Sequence, residues 1–353
     1  MSEQELEELE FGQEHEPDDE FFEHYKVVAD KGQNPLRVDK FLMNRLLNAT
    51  RNRIQNAAKQ GFVRVNQSPV KSNYKVKAGD EVTLVLPHPP RNIELIPQDI
   101  PLDIVFEDEY LLIVNKQPGM VVHPGYGNYT GTLVNGLLHH FGHLPQIESD
   151  LPRPGLAHRI DKDTTGLLVI AKDEDVLSHL ANQFFHHSIE REYHALVWGN
   201  VQEDQGTIDV YLMRSPQDRK VIIGTMDAEK GKRAITHYNV KERYGFATYV
   251  TCKLETGRTH QIRAHFKYLG HTLFNDAFYG GDKILAGTGI NRFKTFVENT
   301  FKVMPRQALH AAKLGFEHPV TKQDMLFEQP LPNDFAEALD RFRKFNANYG
   351  MTQ

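Results

Sequence analysis

The sequence is poor in the residues that build covalently or metal-held scaffolds. Cys252 is its one cysteine, which excludes an internal disulfide and a cysteine-rich zinc site. No apolar run approaches the roughly 20 residues of a membrane-spanning helix; the tightest cluster covers 167–171. The first 24 residues contain no Lys or Arg, whereas a secretory signal opens with a basic segment. A G-x-x-x-x-G-K-[ST] loop, an H-E-x-x-H pair and a G-x-S-x-G elbow are all missing, and Gly125 and Gly127 lack the third glycine of a dinucleotide fingerprint. His139, His140 and His143, or His186 and His187, invite a metal reading among 18 histidines, but no carboxylates stand at ligand spacing. They are read as solvated or capping residues, and no metal is expected. These absences predict a soluble, cytoplasmic protein.

What is present divides by charge. The 353 residues are 40% hydrophobic and 25% charged, enough to bury a core and to make roughly two domains. Residues 1–24 carry eleven acidic side chains, so the net charge of −6 hides a folded remainder near +5. Like charges at that density resist collapse, and a disordered acidic tail is predicted. Residues 36–77 reverse the sign: ten basic residues face one acid, Asp39. Val38, Phe41, Leu42 and Leu46 recur at helical spacing. A second helix is predicted after a Thr50 cap, with Ile54, Ala57 and Ala58 inside and Gly61 as its stop. A strand from Phe62, a turn over 66–69 and a closing strand over 81–86 come next. Arg37, Arg51, Arg53, Lys59 and Arg64 are the candidate phosphate contacts of this compact module.

Pro87, Pro89, Pro90, Pro97 and Pro101 mark a connector over 88–101. Beyond it, short strands mix with helices predicted over 133–141, 174–186, 259–269 and 334–346. Strands outnumber clean βαβ crossovers, so the expected class is α+β, with a largely antiparallel or mixed sheet flanked by helices. The segment 156–173, LAHRIDKDTTGLLVIAKD, carries the densest chemistry. His158, Arg159, Asp161, Lys162 and Asp163 crowd directly before a buried strand, a place where a carboxylate is held rigidly yet faces a cleft. The plainer alternative is a surface ion pair between Arg159 and Asp161.

Two resemblances sharpen this reading. The order RVDKFL, then TRNRIQNAAKQGFVRVNQSPVKSNYKVKAGDEV, resembles an S4 domain, an RNA-binding appendage, over 36–86. The run HRIDKDTTGLLVIAKD resembles the signature of the RluA family of pseudouridine synthases. That family's other blocks occur in order as VNKQPGMVVHPG at 114–125, GTLVNGLL at 131–138, REYHALVWG at 191–199, LETGRTHQIRAHF at 254–266 and RQALHA at 306–311. The implied organisation is an acidic tail over 1–24, an S4 domain over 25–87, a linker over 88–101 and a pseudouridine synthase domain over 102–353.

By position in the family motifs, the resemblance implies that Asp161 is the required aspartate, Arg263 the arginine that pairs with it, and Tyr193 the tyrosine that stacks on the target uracil. Arg159 is then the side chain that fills the space of a flipped base, and Arg258 a phosphate contact. Ile262, Phe266 and Leu269 are expected on the buried side of the Arg263 helix. No cofactor is implied. The S4-bearing, RluD-like branch implies isomerisation of uridine in large-subunit ribosomal RNA, free or in a ribosomal particle, by a monomer. Transfer RNA is the alternative substrate, and an RNA-binding ribosome-assembly factor the rival from another class. The chain departs from the family pattern at Ile160, Thr165 and Asn275-Asp276, and by an apparent insertion over 282–303 that is expected to reshape an RNA-facing loop.

Overall fold

The computed structural model describes residues 22–46, 51–86, 95–124, 128–145, 154–218, 221–287 and 291–349. The chain divides into two compact units, a smaller one ending at Leu95 and a larger one built mainly from the residues beyond it. Most of the predicted acidic tail and the Thr50 cap lie outside the described residues.

In the smaller unit, strands β1 (Phe22–Val28), β3 (Val63–Val65), β4 (Ser68–Pro69) and β6 (Glu81–Leu86) form a sheet in the order β1-β6-β3-β4. Strands β2 (Leu36–Arg37) and β5 (Lys75–Val76) pair separately, and helices α1 (Val38–Met43) and α2 (Arg51–Lys59) complete the unit. The helical spacing buries Val38, Phe41, Leu42, Ile54 and Ala57 against Val63, Val82 and Leu84. Each large apolar side chain in that cluster contributes about 1.5–3 kcal/mol. The β3–β4 hairpin turns on Asn66 and Gln67, at φ 49° and 68°, the two left-handed residues that a tight two-residue turn demands. Strand β1 starts at Phe22, so the last three residues assigned to the tail belong to the strand, Phe22 and Glu23 pairing with Leu86 and Val85 of β6 and His24 falling at a register shift.

In the larger unit, β7 (Ile104–Glu107) and β8 (Leu111–Lys116) precede helix α3 (Leu133–Phe141). Next come β9 (Thr165–Ala171), α4 (Glu174–Phe185), β10 (Glu190–Trp198), β11 (Gln205–Arg214), β12 (Ile222–Thr225), β13 (Lys232–Arg243) and β14 (Ala247–Leu254). Helix α5 (Gln261–Tyr268), a 3₁₀ turn (Ala277–Tyr279), α6 (Asn291–Val303), β15 (Leu309–Glu317), β16 (Asp324–Glu328) and α7 (Asn333–Tyr349) close the chain. The sheet runs β12-β11-β13-β14-β10-β15-β9-β8-β7, with β16 on β15. Among the described residues every pairing in it is antiparallel except β15 with β9. The α+β class with a mixed sheet is therefore as expected. Strand β9 is buried along its whole length, which explains its unbroken apolar run.

Three local findings differ from expectation. Residues 96–101 belong to the larger unit rather than to a free connector: Asn135 donates to the Ile96 carbonyl at 2.8 Å, and the Gln98 N–H donates to the Asn135 carbonyl at 3.0 Å. Leu269 is exposed, because it falls at the helix end beyond the buried Ile262 and Phe266. The 282–303 insertion contains helix α6, whose Phe293 and Val297 join Phe246, Phe335 and Phe342 in an aromatic cluster. Its inner face is core, not a loop.

Candidate active site

Asp161 lies in the turn that leads into β9, and that turn is held from several sides. Its carbonyl accepts the Thr164 N–H at 3.1 Å. The Lys116 ammonium, 1% exposed, donates to the carbonyls of Gln117, Met120 and Lys162 at 2.8, 2.9 and 2.8 Å. Burial pushes Lys116 down to about 7, while three carbonyl oxygens at full hydrogen-bond distance favour its charged form. Arg306 donates from Nη1 to the Asp163 carbonyl at 3.0 Å and clasps Asp334 through Nε and Nη2 at 2.7 and 3.0 Å. Gln307 Nε2 donates to Thr164 Oγ1, and His310 Nδ1 meets Thr165 Oγ1 at 2.8 Å. Gly166 is obligatory here: at φ 116° a β-carbon would sit 2.1 Å from the Ala311 carbonyl oxygen.

Arg263, on α5, joins two carboxylates. Its Nη1 donates to Asp161 Oδ2 at 2.9 Å, while Nε and Nη2 donate to Asp276 Oδ2 and Oδ1 at 2.7 and 2.8 Å. The arginine and Asp276 side chains are 4% and 1% exposed and Asp161 is 19% exposed, so only Asp161 meets solvent appreciably. Burial would raise the Asp161 carboxyl, but the charge of His260, which is protonated in the acid range where a carboxylate titrates, the charge of Arg263 and the Arg263 hydrogen bond outweigh it and hold it below the usual range. His260 Nε2 stands 3.9 Å from Asp161 Oδ1. Burial pushes the imidazole below its ordinary value despite that carboxylate, so the standing cation beside Asp161 is Arg263. The inner cluster of two carboxylates and one guanidinium carries one net negative charge.

A cleft of about 100 Å³ opens over this cluster, lined by Asp161, Arg263, Tyr193, Arg159, Arg258 and His260, among others. Tyr193, on β10, is 7% exposed, and burial raises its phenol, which stays protonated at neutral pH. Arg159 and Arg258 are exposed at the rim. Arg258 Nε also reaches the Arg233 carbonyl at 3.5 Å, a contact that supports its turn. The structure thus brings together all five site residues expected in this unit.

The basic residues of the smaller unit have a second occupation. Asp39 is fully buried and accepts from Arg37 Nη2 at 2.8 Å, Gln55 Nε2 at 2.9 Å and Arg51 Nε at 3.2 Å. Arg37 and Arg51 therefore keep only part of each guanidinium free for phosphate, with side-chain exposures of 38% and 48%. Lys59 is exposed and Arg64 half-buried, and the Arg53 side chain lies outside the described residues.

Comparison with known proteins places this geometry. The family model for RNA pseudouridylate synthase matches residues 110–268, and that for the S4 domain matches 36–82. An uncharacterized RNA pseudouridine synthase of Chlorobaculum parvum is 43% identical over 89% of this chain and 96% of its own length. The chain belongs to the RluA-family RNA pseudouridine synthases. A second uncharacterized synthase, from Bacillus subtilis, is 43% identical over 90% of this chain and 98% of its own. The ribosomal large subunit pseudouridine synthase D of Zymomonas mobilis is 44% identical over 84% and 91%.

Sequence reasoning missed several residues that complete this synthase's site. Asp276 stands out in the sequence only as part of a departure from the family pattern, yet it holds the far edge of Arg263. Asn275 beside it sits at φ 56°, a left-handed position where glycine is the easy choice and asparagine the next. His260 lies inside a family block without an expected role, and Lys116 and Arg306 act mainly on backbone carbonyls that carry no sequence signal. Among the described residues no group of three His, Cys, Asp or Glu side chains is placed to hold a metal ion, and no helix is long and apolar enough to cross a membrane.

Proposed function

We propose that this synthase isomerises specific uridines of large-subunit ribosomal RNA, with Asp161 as the catalytic carboxylate. The observation that carries the reading is the asymmetric cluster: Arg263 keeps Asp161 ionised in a buried cleft, while Asp276 cancels the guanidinium's charge from behind. The reaction breaks the bond between ribose C1′ and uracil N1, turns the base, and joins C1′ to C5; C5 loses its proton, N1 gains one, and the net change is an isomerisation. Positive charge develops at C1′ as the first bond breaks, and a net-negative cluster favours that change whether Asp161 bonds to the sugar or only stabilises it. Tyr193 offers a flat face to the uracil, and its protonated phenol can donate a hydrogen bond to the turned base. The target base must leave its stack, costing a few kcal/mol, and Arg159, which lines the cleft, fills the gap. The S4 domain supplies basic surface for the RNA, and the protein acts as a cytoplasmic monomer without a cofactor.

Relatives named ribosomal large subunit pseudouridine synthase D support the ribosomal substrate over transfer RNA. The test is tritium release from RNA labelled at uracil C5, offered as large-subunit RNA, ribosomal particles and transfer RNA. Wild type releases label from a ribosomal substrate, and Asp161→Asn releases none while binding the RNA with near-native affinity. Release from transfer RNA alone would refute the substrate, and full activity of the variant would refute the role of Asp161.

A further inference from the structure

His260 combines three features that its place in the helix does not require. It precedes α5 at φ 52°, a left-handed conformation that side-chain-bearing residues adopt mainly where the surroundings demand it, and its side chain makes no capping hydrogen bond. Its ring instead turns inward, 18% exposed, between Asp161 and Tyr279. Tyr279 is itself buried, and its hydroxyl oxygen accepts the Ile222 backbone N–H at 3.1 Å. The hydroxyl's one proton is therefore available for His260 Nδ1, 3.2 Å away. With Nδ1 accepting, a neutral imidazole carries its hydrogen on Nε2, which faces Asp161 Oδ1 at 3.9 Å. Oδ2, the other carboxylate oxygen, is already taken by Arg263.

We propose that His260, its tautomer fixed by Tyr279, is a positioning residue that donates from Nε2 to Asp161 Oδ1 when substrate closes the cleft. This rests on the reading of Asp161 as the catalytic carboxylate. The resting separation exceeds a hydrogen bond, as is common before substrate binds, and a closure of about 1 Å makes one. Arg263 alone fixes one oxygen and leaves the carboxylate free to rotate about that contact. A second donor defines which edge faces the sugar. Because the imidazole is neutral, it orients the carboxylate without cancelling its charge. The chain Ile222–Tyr279–His260–Asp161 runs from strand β12 through the 3₁₀ turn to the catalytic loop.

The test uses the full-length protein with a saturating RNA substrate in single turnover. His260→Leu is expected to lower the chemical rate about 10- to 100-fold, the worth of one hydrogen bond to a charged group, while RNA affinity stays within about twofold. His260→Gln, whose amide both accepts from Tyr279 and donates onward, recovers most of that loss. Nitrogen NMR of the His260 ring, assigned by its disappearance in His260→Gln, shows the hydrogen on Nε2 and mixed tautomers in Tyr279→Phe. A wild-type rate in His260→Leu overturns the proposal. So do parallel losses of rate and affinity in both His260 variants, which would mark an RNA contact or a folding role. Asp161→Asn run alongside separates the two readings: full activity there sinks the catalytic role of Asp161 on which this inference rests, whereas an inactive Asp161→Asn beside a fully active His260→Leu sinks only this inference.

Discussion

Replacing Asp276 by Asn isolates the charge behind the Asp161–Arg263 pair. The substitution keeps shape and one acceptor, but of the two carboxylates that hold the buried Arg263 guanidinium it leaves only Asp161. Breaking a buried ion pair costs about 3–5 kcal/mol, and the retained amide acceptor places this case near 3 kcal/mol. For a unit of this size each kcal/mol lowers the melting temperature by roughly 2–4 °C, so a drop of about 6–12 °C is expected. The rate falls for a separate reason. Taking a separation on the order of 7 Å and an effective dielectric near 20, removing the negative charge beyond the guanidinium withdraws about 2.4 kcal/mol from a transition state that is becoming positive. That is about a 50-fold loss in single-turnover tritium release, with RNA affinity unchanged. Thermal unfolding and the release assay read the two effects independently. A melting temperature within 1–2 °C of wild type, within that roughly 2–4 °C per kcal/mol, would show that Asp161 alone suffices to hold Arg263. A destabilised variant with an undiminished rate would refute the electrostatic role assigned to Asp276.

Two further outcomes concern buried polar nodes. Burial pulls the Asp39 carboxyl upward, but hydrogen bonds from Arg37, Gln55, Arg51 and the Lys40 N–H outweigh it and hold it well below the carboxylate range. Its stabilisation is therefore complete above about pH 4, near the unfolded value, and drains away as pH falls through the lower folded value. Asp39→Asn is expected to weaken amide protection across 36–65 by about 1–3 kcal/mol at pH 7, discounted for the exposed arginines, and the gap to wild type should close in acid; equal protection at pH 7 would refute this. Arg306→Met removes the guanidinium from Asp334, which keeps the Phe335 N–H, and from the Asp163 carbonyl, with an expected loss of about 1–3 kcal/mol and a slower chemical step at unaltered RNA affinity. A rate equal to wild type would show that the catalytic turn holds its place without Arg306.

Much of the fold was legible because the elements are amphipathic or uniformly buried. The pattern over 133–141 and 167–171 states its own burial; α3 has the expected bounds, and β9 begins two residues earlier, at Thr165. Helix α6 was missed although Phe293, Phe296, Val297, Thr300 and Phe301 keep helical spacing, because a segment that interrupts a motif order reads as an inserted loop. Within the site, the cleft gathers the five residues to which the resemblance gave a role, while Lys116, His260 and Arg306 stood in the same motifs without one, because their partners are backbone carbonyls or side chains distant in sequence. Counting charge over 36–77 also hid that Arg37 and Arg51 are engaged by the one acid in that stretch. Sequence shows how many charges a segment has; only the fold shows which of them are already paired.

The parallel step between β9 and β15 has a consequence of its own. Its ladder pairs only His310 with Thr165 and Ala311 with Gly166, whereas the neighbouring β8–β9 and β10–β15 ladders each extend over six pairs. Asp161 belongs to the three-strand side of this step, and Tyr193 and Arg263 belong to the other. The join is completed by side chains, Arg306, Gln307 and His310 against Asp163, Thr164 and Thr165. A backbone ladder is indifferent to which residues compose it, but a side-chain join is not. The alignment of carboxylate with guanidinium is thereby written into a handful of polar residues, and single substitutions there can retune the spacing of Asp161 and Arg263 without touching either member.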